Sequence, residues 1–198
     1  MPDADSIIQY GGLLFVFLAV FAQTGLFFCF FIPSGGLLFS AGIFVATGGL
    51  PYSIYFVCIL LILASLMGNI TGYYFGLKAG PLLNKKNRSG FLKQTYFDKA
   101  ESFYIKYGNL ALAGGLFFPI IRTFSPIVAG MIKLNFTRFV IYTLTGSVLW
   151  IVSHVMAGYF IGTMPFLQPY LIYIVAGIIL TITVPIIIGI VRSFNKRN

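Results

Sequence analysis

Arg122 stands alone as a charge inside the apolar stretch Tyr107–Ile132. Its guanidinium is a planar fork of donors that matches the oxygens of a phosphate, and Thr123 and Ser125 place two hydroxyls beside it. The same donors also suit a second task, capping carbonyls that a proline-broken hairpin leaves open, and the hydroxyls can equally bond their own backbone. Gln23, in the first apolar run, offers an amide to a head group, to Arg122 or to broken backbone. Ser34 lies in the turn signal Pro33-Ser34-Gly35-Gly36, where the small residues allow close backbone approach. His154 is the sole histidine and falls within an apolar segment. An imidazole can exchange a proton near neutral pH, although a neutral ring bonded between helices is the commoner arrangement.

These residues suit binding better than bond-breaking. The only acids are Asp3, Asp5, Asp98 and Glu101, all outside the apolar segments. There is no His/Asp pair, no metal-ligand spacing and no Gly-x-Ser-x-Gly, so a hydrolytic enzyme lacks its nucleophile and base. The expectation is a protein that is not an enzyme and uses neither cofactor nor metal. Cys29 and Cys58 sit in apolar runs with no CxxC pattern and read as packing residues.

The elements that position these residues follow from composition. Of the 198 residues, 59% are hydrophobic and 9% charged, against roughly 25% charged in an ordinary globular chain. No charge occurs from Ser6 to Leu77 or from Phe139 to Val191. A bilayer-spanning helix needs about 20 such residues, so the chain reads as an all-α polytopic membrane protein. Its N-terminus is acidic and its first apolar run is too long for a cleaved signal, so the first segment is expected to persist.

The net charge of +9 is concentrated in residues 78–106 and at the C-terminus. That is the positive-inside distribution, which the membrane explains without nucleic acid. With 78–106 cytoplasmic, the segments read as a helix over 6–23, a re-entrant hairpin over 24–46, a helix over 51–77, a basic segment with an interfacial helix over 78–106, a second re-entrant hairpin over 107–132, and helices over 139–162 and 168–191. Arg122 between Pro119 and Pro126 argues for the second hairpin, because a central Arg costs about 2.5–3.5 kcal/mol in a lipid-facing span. Irregular backbone is tolerated only against protein or a wet cavity. Both termini then fall in the cytoplasm.

An internal repeat agrees with this parity. Gly25-Leu26-Phe27-Phe28 matches Gly115-Leu116-Phe117-Phe118, Ala41-Gly42 matches Ala129-Gly130, and Gly72-Tyr73-Tyr74-Phe75-Gly76 matches Gly158-Tyr159-Phe160-Ile161-Gly162. The predicted architecture is an inverted repeat with two opposed re-entrant hairpins and about four transmembrane helices, an arrangement used by transporters.

Three blocks carry a resemblance to a known family. They are Gln23-Thr24-Gly25-Leu26 with Phe31-Ile32-Pro33-Ser34-Gly35-Gly36-Leu37 through Gly42, Gly68-Asn69-Ile70-Thr71-Gly72-Tyr73-Tyr74-Phe75-Gly76, and Phe117-Phe118-Pro119-Ile120-Ile121-Arg122-Thr123-Phe124-Ser125-Pro126 through Gly130. Over about Gln23 to Gly162 the sequence resembles the DedA family, membrane proteins with the VTT (SNARE-associated Golgi protein) domain. The resemblance implies opposed hairpins, a bacterial inner-membrane location and movement of lipids, notably a polyprenyl-phosphate carrier. Pro33, Gly35, Gly36, Pro119, Pro126 and Gly130 would be the structural residues of the hairpins.

The chain departs from the family's usual charges. Members commonly carry acids where it has Gln23 and Gly35, often an Asp where it has Asn69, and a second Arg where it has Leu116. No embedded carboxylate remains to carry a proton. The expected function is transfer of a phosphate-bearing lipid between leaflets without carboxylate-based proton coupling; a non-transporting scaffold or lipid-binding adaptor on the same fold is the alternative. The expected partners are membrane lipids, and small residues such as Ala64, Ser65 and Gly68 suit close packing either of the repeats within one chain or against a second copy of it.

Overall fold

The computed structural model describes residues 4–25, 34–86 and 119–170, with 173, 176 and 177. Side chains of 4–10, 34, 81–86, 119–124 and 168 lie outside that description, as do Pro33, residues 87–118 and most of the segment 168–191. Within it are five α-helices: α1 (Ala4–Gly25), α2 (Ser34–Ala46), α3 (Ile54–Lys86), α4 (Pro119–Met131) and α5 (Phe136–Thr163), followed by a short 3-10 turn over Pro165–Tyr170.

Local chemistry fixes the helix ends. Ser53 caps α3, its Oγ accepting the N–H of Phe56 at 3.3 Å, and Asn135 caps α5, its Oδ1 accepting the N–H of Arg138 at 3.1 Å. Pro119 opens α4, where a missing N–H costs nothing. The C-terminus of α4 closes by two bonds, Lys133 N–H to the Gly130 carbonyl (3.0 Å) and Leu134 N–H to the Ala129 carbonyl (2.9 Å). This closure needs a left-handed residue, here Lys133 at φ 54°. A non-glycine residue pays about 1 kcal/mol for that conformation. After α2 the left-handed position is filled by Gly48, φ 78°.

Two stretches are long and apolar enough to cross a membrane, Ile54–Gly80 with 27 residues and Phe136–Thr163 with 28. At 1.5 Å per residue each is about 40 Å long, more than a hydrocarbon core of about 30 Å. α2 and α4 have 13 residues each, about 20 Å, and are too short to cross alone. α3 does not stop at Leu77, where the apolar run ends, but continues through Lys78 to Lys86. Backbone hydrogen bonds do not depend on apolar side chains, so a helix persists where the apolar stretch ends.

The chain forms two compact units. The first comprises Met1–Ala19, Phe31–Ile59 and Ile151–Asn198, the second Val20–Phe30 and Leu60–Trp150. In the first, α2 lies on the second half of α5: a Cβ at Gly42 would run into the Val155 carbonyl, and one at Gly158 into the Phe39 carbonyl. In the second, α4 lies on α3 by the same contacts, Gly130 against the Tyr73 carbonyl and Gly76 against the Ile127 carbonyl. Gly162 beside Ile43 in one unit answers to Gly80 beside Met131 in the other. Gly76 is therefore the counterpart of Gly158, one helical turn from the match of Gly72 with Gly158 that sequence alignment suggests.

Large apolar side chains face outward, among them Tyr55, Ile59, Leu63 and Phe75 of α3 and Ile141, Leu149 and Phe160 of α5. Gln23, Thr24, Ser65, Asn69, Ser125, Thr143 and Ser147 are buried. Apolar outside and polar inside is the distribution expected of a protein solvated by lipid.

The close contacts generate a paired test. Gly42→Ala and Gly130→Ala should each destabilise the protein by about 1–3 kcal/mol through forced backbone separation. Gly11→Ala and Gly12→Ala, with no atom within 4 Å of the new methyl, should be neutral or stabilising by up to about 1 kcal/mol. Thermal unfolding in detergent reads the difference; equal effects at all four positions would refute the packing role.

Candidate functional site

The second unit has a polar interior built by three helices. Gly68 on α3 is approached by Thr24 and by the Phe21 carbonyl at the end of α1, while Gly72, one turn on, meets Pro126 and Ile127 of α4. The last turn of α1, the middle of α3 and the second turn of α4 thus meet over two glycines. Gln23, Thr24, Asn69 and Ser125 are all buried around this meeting point.

Two of these residues bond within their own helices. Thr24 Oγ1 donates to the Val20 carbonyl at 2.8 Å, the common way for a hydroxyl to close on its own helix. Asn69 Nδ2 donates to the Ser65 carbonyl at 2.8 Å and lies 3.4 Å from Ser65 Oγ. Ser65 Oγ pairs with Ser147 Oγ of α5 at 3.0 Å. Asn69 Oδ1 is buried and accepts no hydrogen bond. A buried orphan acceptor costs about 1–3 kcal/mol.

α4 brings Arg122 to this region. Arg122 lies one residue short of a full turn before Ser125 and in the same helix, and its side chain is outside the described residues. Pro126, fully buried in that helix, has no N–H to give the Arg122 carbonyl its intrahelical bond.

The structure groups the sequence-predicted residues unevenly. Gln23 and Ser125 lie in the second unit, with the helical turn of Arg122 and Thr123. Gln23 belongs to the last turns of α1, which runs on to Gly25, past the end at residue 23 read from sequence. Ser34 and His154 belong to the first unit. Ser34 begins α2, with Gly35 and Gly36 buried behind it. His154 is half-buried on α5, its Nδ1 3.2 Å from Ser153 Oγ. Sequence reasoning missed Thr24, Ser65 and Ser147. The signal was present: Ser65 and Asn69 are four apart beside Gly68 and Gly72, which makes one helix face small and polar in a run without charges.

Long apolar helices with lipid-type exteriors and polar interiors define an integral membrane protein. Residues 32–160 match the VTT domain. The chain is 33% identical over 196 residues to Protein DedA of Escherichia coli K12, covering 98% of this chain and 89% of that protein. It is 30% identical over 186 residues to the inner membrane protein YqjA of the same organism, covering 92% and 83%. An uncharacterized membrane protein of Mycobacterium tuberculosis is 31% identical over 182 residues, covering 92% and 80%. No solved structure matches the chain. The chain belongs to the DedA family of VTT-domain membrane proteins.

The serine pair is open to direct measurement. A double-mutant cycle with Ser65→Ala and Ser147→Ala should give a coupling of about 0.5–1 kcal/mol in unfolding free energy. Strict additivity would mean that the pair does not hold α3 to α5.

Proposed function

We propose that this protein moves a phosphate-bearing lipid, a polyprenyl-phosphate carrier or a phospholipid, between membrane leaflets. The supporting observation is the convergence on one unit of α4, carrying Arg122, and a buried polar interior made by Gln23, Thr24, Asn69 and Ser125. A phosphate drawn from the head-group region needs a fixed cation and polar neighbours in place of water, while its acyl or prenyl tails remain in the bilayer. The protein acts as a carrier and not as an enzyme.

The architecture that serves this reading is an inverted repeat. In it α2 and α4, each too short to span, are the re-entrant elements, and both termini lie on the cytoplasmic side of the inner membrane. The equivalent glycine contacts of α2 and α4 support it, as does the cationic stretch 78–106. Transport runs without carboxylate-based proton coupling, because all four acids lie outside the apolar segments. Lipid would equilibrate across the leaflets and would not be concentrated by a proton gradient.

The test is exchange of fluorescent polyprenyl phosphate and of an ordinary phospholipid in proteoliposomes, with and without a proton gradient. The expected result is gradient-independent exchange of at least one lipid, lowered about tenfold or more by Arg122→Ala, as loss of a charge-assisted contact requires. No exchange by well-folded protein would favour a scaffold or lipid-binding adaptor. Gradient dependence that survives His154→Ala would overturn the absence of coupling.

A further inference from the structure

Among the described residues the charged side chains are Lys78, Lys133 and Arg138, all exposed and all in the second unit. Neighbouring contacts place them at one end of it. Gly130 lies against the Leu77 backbone and Gly80 against Met131, and the Tyr73 hydroxyl donates to the Leu134 carbonyl at 2.6 Å. The Phe136 ring stands 5.5 Å from that of Tyr73 and 5.7 Å from that of Tyr74. Lys78 follows Tyr74 by one turn of α3, Lys133 occupies the turn, and Arg138 is in the first turn of α5.

Three cations, from α3, the α4–α5 turn and α5, thus lie at the same end of the unit, with no described acid among them. Cations grouped at one end of a lipid-solvated unit favour an anionic head group there. Lys133 adds an independent reason: its left-handed backbone is the conformation glycine adopts most cheaply, so the lysine there trades backbone ease for a cation at this end of the unit. The exposed rings of Tyr74 and Phe136 supply the aromatic surface typical of the head-group level.

We propose that Lys78, Lys133 and Arg138 form a surface site for the phosphate of an anionic membrane lipid. It is separate from the interior beside Arg122, and it does not rest on the transport reading. The bound phosphate bridges α3, the α4–α5 turn and α5, tying together the elements that the Tyr73–Leu134 bond also joins. Arg138 contributes a fork, and the two lysines contribute ammonium groups that adapt to a head group held at the bilayer surface.

The test uses the full-length protein in zwitterionic detergent, with its unfolding temperature measured against added phosphatidylglycerol, phosphatidylcholine or inorganic phosphate. Phosphatidylglycerol should raise it by about 2–4 °C, and the other two should leave it unchanged. Lys133→Gly should unfold at a higher temperature without lipid, since the turn is relieved, yet lose most of the phosphatidylglycerol increment. Lys78→Gln combined with Arg138→Gln should lose it as well. A full increment in either variant would overturn the site. An equal response to phosphatidylcholine or to inorganic phosphate would overturn its assignment to an anionic lipid.

Discussion

Each short helix is held to a long one by backbone meeting backbone, and this contact sets what the remaining residues can do. Gly42 and Gly158 in the first unit, and Gly130 and Gly76 in the second, leave no room for a Cβ between the helices. In lipid there is little hydrophobic gain from burying one aliphatic chain against another, so close approach of dispersive surfaces has to supply the association. Once α4 lies this near α3, Pro126 is pressed on Gly72 and Ser125 is buried. The position of Arg122 along α4 follows from the same contact.

That closeness also explains why the polar side chains point inward. A protein in water exposes Ser, Thr, Asn and Gln; here the exterior is Tyr, Phe, Ile and Leu, and the small polar groups bond one another or their own helices. Most of this polarity is structural, spent on holding helices together. Asn69 Oδ1 is a buried acceptor left without a donor among the described residues. It lies on the same stretch of α3 where α1 and α4 converge, in the unit that also carries Arg122.

Much of the architecture was legible because the membrane allows few solutions. Charge-free runs mark the long helices, and Ala41-Gly42 and Ala129-Gly130 occupy equivalent positions in their units. The register of the second repeat block was not legible. Glycines recur every four residues at Gly68, Gly72, Gly76 and Gly80, and again at Gly158 and Gly162, so a slide of one turn gives nearly as good a sequence match. Only the contacts separate the two registers. The assembly of the site was half legible: Gln23, Arg122, Thr123 and Ser125 do fall to one unit, but Ser34 and His154 do not. Ser65 read as a mere small residue and Ser147 was not singled out, because their pairing depends on a distant helix.

Tyr73 and Val155 occupy equivalent places, each offering its carbonyl to the glycine of a short helix, but only the tyrosine has a hydroxyl. In the second unit that hydroxyl reaches the Leu134 carbonyl and its ring stacks on Phe139 at 4.8 Å, so the turn after α4 is tied to a neighbouring helix. Valine has nothing to donate, and the turn after α2 closes on itself, through Leu50 N–H to the Phe44 carbonyl at 3.0 Å and a left-handed glycine. Two units built on one packing rule are therefore unequal in stiffness. Local opening costs less at the turn after α2 than at the turn after α4.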